Sequence, residues 1–158
     1  MEVIDNFLPS YQFKQLYNVL MSPEMTWFYN DGVSYEGDRS HQFVNLFVHW
    51  PKGTTPSYRV IEPFMPLFKI KNIRRIKVNL TTKTLFHRNT GWHTDNIPCS
   101  TSAIFYINTN NGWTKFKKGG KVKSVANRMV IFDSNLEHQG VTCTDKKRRV
   151  VMNFNYDV

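Results

Sequence analysis

The triplet His93-Thr94-Asp95 sets an imidazole and a carboxylate two residues apart. In extended backbone, residues at that spacing project to the same side, so both could face one metal ion. Taken alone the triplet fits an exposed loop equally well. A second imidazole, His138, follows the apolar run Met129-Val130-Ile131-Phe132 well downstream. Two imidazoles and one carboxylate can cover one face of an octahedral iron(II) and leave the other positions open for an organic ligand and dioxygen. Zinc hydrolases draw on the same donor types, so the donors by themselves leave the metal open.

A cation follows His138 at the head of the run Arg148-Arg149-Val150-Val151-Met152-Asn153-Phe154-Asn155-Tyr156. A guanidinium buried there can grip a carboxylate in a bidentate fork, which is what a dicarboxylate chelated to iron by its keto-acid end needs at its other end. Period-two alternation puts Arg149, Val151, Asn153 and Asn155 on one face of a strand and Val150, Met152, Phe154 and Tyr156 on the other. The polar set belongs in a pocket, which favours Arg149 over Arg148. A slip of one residue would exchange the two, so Arg148 stays in contention.

These groups need a rigid scaffold, and the chain supplies the pattern for one. Val3 to Ser10 reads as a short strand and turn, followed by Phe13, Leu16, Tyr17 and Leu20 at helical spacing with Ser10 as N-cap. Thr26 to Tyr29 and Gln42 to Trp50 read as strands, and Pro56 to Phe68 as a short helix broken by Pro63 and Pro66. Beyond Ile73 strands dominate: Ile76 to Leu80, Ser102 to Ile107, Val122 to Val125, Met129 to Phe132 and Val150 to Phe154. Turn signals such as Asn110-Asn111-Gly112 and Lys118-Gly119-Gly120 separate them. Helices first and short strands afterward predict an α+β arrangement, a double-stranded β-helix or jelly roll with N-terminal bracing helices.

At 158 residues with 41% apolar and 15% aromatic content, one globular domain spanning 1–158 is expected. The absence of a long apolar run and of a basic-then-apolar opening predicts a soluble, cytoplasmic protein with no membrane partner. Cys99 and Cys143 are too few and too far apart for a disulfide framework or zinc knuckle, and read as free thiols. The formal charge of +9 suits anionic partners, a small anionic co-substrate or nucleic acid.

Taken together, these segments resemble the iron(II), 2-oxoglutarate oxygenase superfamily, and within it the prolyl-hydroxylase-like branch that includes small phage-encoded members. The resemblance runs over nearly the whole length, through Val3-Ile4-Asp5-Asn6-Phe7-Leu8, Arg75-Ile76-Lys77-Val78-Asn79-Leu80, His93-Thr94-Asp95, Asn127-Arg128-Met129-Val130-Ile131-Phe132, His138 and Arg149 to Phe154. It implies Fe(II) on His93, Asp95 and His138, 2-oxoglutarate as co-substrate and dioxygen as oxidant. Ascorbate would support turnover in vitro, and no catalytic side chain is needed beyond the metal ligands. It also implies that Tyr106 shares the far carboxylate of 2-oxoglutarate with Arg149, and that Asn79 and Asn153 lie near the metal and co-substrate. Trp92 and Trp113 become candidates for the substrate opening, whereas His41, His49 and His87 are not expected as ligands.

Arg149 stands eleven residues after His138, slightly farther than in many relatives, so the intervening loop must be longer. The expected reaction is hydroxylation of a prolyl residue in a protein or peptide with release of succinate and CO2. The alternatives are oxidative demethylation of nucleic acid and a non-catalytic jelly-roll binding module. A phage-encoded member would act in the host cytoplasm.

Overall fold

The strand Ile73–Thr82 alternates apolar Ile76, Val78 and Leu80 with polar Arg75, Lys77, Asn79 and Thr81, and a sheet built on that pattern must bury two chemically different faces. The computed structural model, which describes residues 1–33, 40–95 and 97–158, shows how. Its strands are β1 (Glu2–Ile4), β2 (Phe28–Asn30), β3 (Gln42–His49), β4 (Gly53–Thr54), β5 (Ile73–Thr82) and β6 (Thr101–Tyr106). They continue with β7 (Trp113–Phe116), β8 (Gly120–Lys123), β9 (Arg128–Asp133), β10 (His138–Val141) and β11 (Arg148–Tyr156). The major sheet runs β1-β9-β6-β11-β5-β3-β2 with β4 paired to β3, and the minor sheet runs β10-β7-β8. All the pairings are antiparallel, and the jelly-roll expectation holds.

The apolar face of the major sheet packs against the helices. Helix α1 (Ser10–Leu20) buries Leu16 and Leu20 against a cluster that includes Ile76, Val78, Phe105, Val150, Met152 and Phe154. Each such side chain contributes about 1.5 to 3 kcal/mol when withdrawn from water. Ser10 is the first residue of the helix and not its cap. Pro9 takes the cap position in extended backbone, its carbonyl accepting from Phe13 N–H at 2.9 Å. The broken stretch after Pro56 becomes two 3-10 turns, Pro56–Val60 and Glu62–Phe64, and one short helix, α2 (Met65–Phe68). The two prolines explain the fragmentation, since each removes a backbone donor.

Asn127 ties the N-terminal segment to the sheet. It adopts a left-handed backbone (φ 62°), accepts from Leu8 N–H at 2.9 Å and donates to Leu8 O at 2.7 Å. The second core lies on the other face of the major sheet and gathers Ile104, Tyr106, Phe116, Val122, Val130, Phe132 and Val151. It closes only part of the space between the two sheets, because the inward residues elsewhere on β5 and β11 are polar. That polar remainder is the site.

Candidate active site

His93 and His138 meet because the loop after β5 returns along β10. They form an antiparallel bridge, His93 N–H to His138 O at 3.0 Å and His138 N–H to His93 O at 2.9 Å, which brings the ring centroids to 4.6 Å. Asp95 extends the same backbone by two residues. One donor atom from each of His93, Asp95 and His138 lies within 4.8 Å of the others, so a small closure of the side chains would put all three on one ion.

The surroundings fix the donor atoms. The Nδ1 of His93 faces Gly91 O at 3.1 Å and the Nδ1 of His138 faces Leu136 O at 3.0 Å. A carbonyl only accepts, so both Nδ1 atoms donate to it, which leaves the Nε2 atoms as the ones that could face a metal. Burial lowers the His93 pKa and the neighbouring His138 adds to the effect, so this imidazole is held neutral. Asp95 accepts from Arg75 at 2.7 Å on Oδ1, and from Ser102 Oγ and Asn155 Nδ2, each at 2.8 Å, on Oδ2. Burial by itself would raise its pKa. The charges of Arg75 and His138 and the two hydrogen bonds outweigh it and hold the carboxyl at about 2. A neutral imidazole and an ionised carboxylate are the protonation states a metal ion requires.

Beside this triad opens a cavity of about 340 Å3. Its floor follows from the strand register: Arg75 lies opposite Asn155, Lys77 opposite Asn153, Asn79 opposite Val151 and Thr81 opposite Arg149. Arg149 is buried at 5% exposure and lines the cavity, while Arg148 points to the other face and donates to Met21 O at the end of α1. The Arg149 Nε donates to Ser124 Oγ at 2.9 Å and an Nη to Thr114 Oγ1 at 3.1 Å. Both partners are neutral hydroxyls, so its charge remains uncompensated among the described residues. Tyr106 is fully buried, with its ring 5.7 Å from the guanidinium carbon, and its hydroxyl donates to Thr114 Oγ1 at 2.8 Å. Tyr106 therefore touches the arginine's support and does not itself line the cavity.

Asn79 and Asn153 both line the cavity, and in each the Oδ1 is buried without a hydrogen-bond partner, as is Thr81 Oγ1. Three orphaned polar atoms and an uncompensated guanidinium in one cavity fit a small, polar, anionic ligand. Trp92 and Trp113 stand outside it. Lys115 lies over the first ring at 5.7 Å, and Lys121 over the second at 4.9 Å. His87 packs on Trp113 and faces Thr142 O, His41 stacks on Tyr29 and His49 ends β3, and none of these three joins the metal-ligating group.

Sequence reasoning gave no site role to Arg75, Thr114 and Ser124, and it set Asn155 on the pocket face without its bond to Asp95, which Ser102 shares. A signal for the first was present. The polar alternation Arg75-Lys77-Asn79-Thr81 matches that of Arg149 to Asn155, and two such strands side by side make a polar floor. Cys99 and Cys143 are free thiols, both with pKa raised by burial. No helix among the described residues is long and apolar enough to cross a membrane.

No protein-family model matches the chain and no curated protein matches it in sequence. Solved structures do. An oxidoreductase of the 2OG-Fe(II) oxygenase family from Burkholderia pseudomallei superposes with a TM-score of 0.69 at 12% identity, over 98% of this chain and 83% of the other. A prolyl-4-hydroxylase from Pseudomonas putida gives 0.65 at 12% identity, over 99% and 92%. A prolyl hydroxylase from Trichoplax adhaerens, in complex with a hypoxia inducible factor oxygen degradation domain peptide fragment, gives 0.60 at 15% identity, over 99% and 83%. The fold is that of the 2OG-Fe(II) oxygenases, with the His-x-Asp and distant His pattern in place.

Proposed function

We propose that the chain is an Fe(II)- and 2-oxoglutarate-dependent dioxygenase that hydroxylates a prolyl residue in a protein or peptide. The observation that carries the dioxygenase assignment is the pairing, within one cavity, of a preorganised two-histidine, one-carboxylate group with the buried, uncompensated guanidinium of Arg149. A hydrolytic zinc centre has no use for that distant cation. A metal-free binding module has no use for two histidines whose Nδ1 atoms are committed to carbonyls and which each offer a donor atom within 4.8 Å of the Asp95 carboxylate. The prolyl substrate rests on the prolyl hydroxylases among the structural neighbours.

Bound iron and 2-oxoglutarate together would supply the oxidising power, delivering one oxygen atom of dioxygen to a substrate C–H bond while 2-oxoglutarate becomes succinate and CO2. The chain's own task is to bind and orient. His93, Asp95 and His138 would hold the metal on one face. Arg75, Ser102 and Asn155 keep the Asp95 carboxylate ionised and fixed in rotation. Arg149, itself held by Ser124 and Thr114, would take the far carboxylate with its remaining N–H donors. Asn79 and Asn153 would meet the middle of the co-substrate, and Ile97, Ile104 and Val151 give the cavity an apolar wall that limits water.

The test is turnover with Fe(II), ascorbate, dioxygen and 2-oxoglutarate, read as succinate, in the presence of proline-containing peptides and, separately, methylated oligonucleotides. Succinate formation stimulated by a peptide, with a product about 16 mass units heavier as one added oxygen requires, is the expected result. His93→Ala and His138→Ala should abolish succinate formation and metal retention while leaving the circular dichroism spectrum unchanged. Undiminished turnover in either variant would remove that histidine as a ligand. Stimulation by the methylated oligonucleotides alone would overturn the prolyl substrate and keep the iron chemistry.

A further inference from the structure

Lys77 lies on the cavity face of β5 between Arg75 and Asn79, opposite Asn153 of β11. A cation is costly at this position. Burial lowers its pKa to about 8, Arg75 pushes in the same direction, and only the charge of Asp95 opposes them. That carboxylate is already engaged, on one oxygen by Arg75 and on the other by Ser102 and Asn155. Among the described residues no hydrogen bond or ion pair ends on the Lys77 ammonium. An apolar side chain of similar length would fill the same space without the desolvation penalty. The positive charge is therefore kept for something that enters the cavity.

The strand register says which end of a ligand it would meet. Arg75 and Asn155, one residue pair from Lys77, hold Asp95 at the metal end. Arg149 lies opposite Thr81, four residues farther along β5 and about 13 Å of extended strand away. Two long side chains reaching inward from these positions can close on a short dicarboxylate. The unpartnered Oδ1 atoms of Asn79 and Asn153 lie along the span between them, and either amide can turn over to present N–H donors instead.

We propose that Lys77 is a second carboxylate anchor, receiving the keto-acid carboxylate of 2-oxoglutarate at the metal end while Arg149 receives the tail carboxylate. This rests on the dioxygenase reading and extends it by giving the co-substrate a charged contact at each end. The cavity then counts one cation for each carboxylate, in addition to the Arg75–Asp95 pair. Lys77 contributes to binding and orientation and carries out no bond-making step.

Binding without turnover tests the assignment. The protein is loaded with Mn(II) in place of iron, kept free of dioxygen, and titrated calorimetrically with 2-oxoglutarate and with oxalate, which has the chelating carboxylates but no tail. Lys77→Met should weaken both ligands by about tenfold or more, the loss of one charge-assisted hydrogen bond. Arg149→Met should weaken 2-oxoglutarate and leave oxalate unchanged. The ligand-free Lys77→Met protein should unfold at a temperature no lower than wild type, because a half-buried charge without a partner among the described residues has been removed. Unchanged affinity for both ligands in Lys77→Met would overturn the proposal, as would a loss for 2-oxoglutarate with none for oxalate. A wild-type protein that binds oxalate but shows no gain from the 2-oxoglutarate tail would instead overturn the co-substrate reading on which Arg149 depends.

Discussion

Replacing Arg149 by methionine keeps most of the side-chain volume and removes the guanidinium. Of its five N–H groups, two are used in the structure, on Ser124 and Thr114, which leaves three donors and the whole charge for a ligand. Losing a buried fork to a carboxylate costs about 2 to 4 kcal/mol of binding, or roughly 30- to 900-fold in Kd. Arg148 is the internal control. It is adjacent in sequence, carries the same charge, and donates across the opposite face of the sheet to Met21 O. Arg148→Met should leave 2-oxoglutarate affinity within about twofold, since its charge acts only through screened distance. Calorimetric titration of the Mn(II)-loaded variants under argon reads both. An Arg149→Met protein that binds 2-oxoglutarate like wild type would refute the argument. So would an Arg148→Met protein with the larger defect, for the strand would then present its other face to the cavity.

The metal-free protein should show an acid-sensitive contribution from Asp95. Its carboxyl is held at about 2 against an ordinary 3.8, so it remains ionised in the folded state at pH values where the unfolded chain takes up a proton. That stability is present above about pH 4 and is lost as pH falls toward 2, a contribution of roughly 2 kcal/mol. Denaturant melts across that window should show it, and Asp95→Asn should flatten it. A wild-type profile already flat between about pH 4 and 2 would contradict the electrostatic origin of the low Asp95 pKa. Gly112→Ala should loosen the arginine's seat. A Cβ there would lie 2.7 Å from Val141 O, 2.8 Å from Asn110 Oδ1 and 2.9 Å from Arg149 Cδ, so something must move. Destabilisation of about 1 to 3 kcal/mol with weaker 2-oxoglutarate binding is expected, and an Ala variant matching wild type in both would show that the turn yields freely.

Much of the candidate site was legible because its spacing is local. The two-residue step of His93-Thr94-Asp95 and the strict alternation from Arg149 to Tyr156 are properties of extended backbone, and the fold keeps both. The alternation favoured Arg149 over Arg148, and the register with β5 is what puts Arg149 on the cavity side. Less legible were the short strands β7 and β10, four residues each, whose patterns are interrupted by lysine, glutamine and glycine. The surroundings of Tyr106 were equally hard to read from the sequence. It shares a face with Ser102 and Ile104, which reach the site, while its own hydroxyl donates to Thr114 Oγ1 and does not line the cavity.

Composition and periodicity alone determined the layered β architecture and the bracing helix, and pointed to the residues that could serve a metal and a carboxylate. Each depends only on which residues recur at intervals of two or near four, and such intervals are written in the chain. Only the tertiary structure decided that His93 and His138 pair across a bridge, that Arg75, twenty residues upstream on β5, neutralises Asp95, and that Lys77 is left without a partner among the described residues. Those facts depend on strand register between segments far apart in sequence. Register is set by how two apolar faces pack at once, and that is a property of the assembled sheets and not of any one segment.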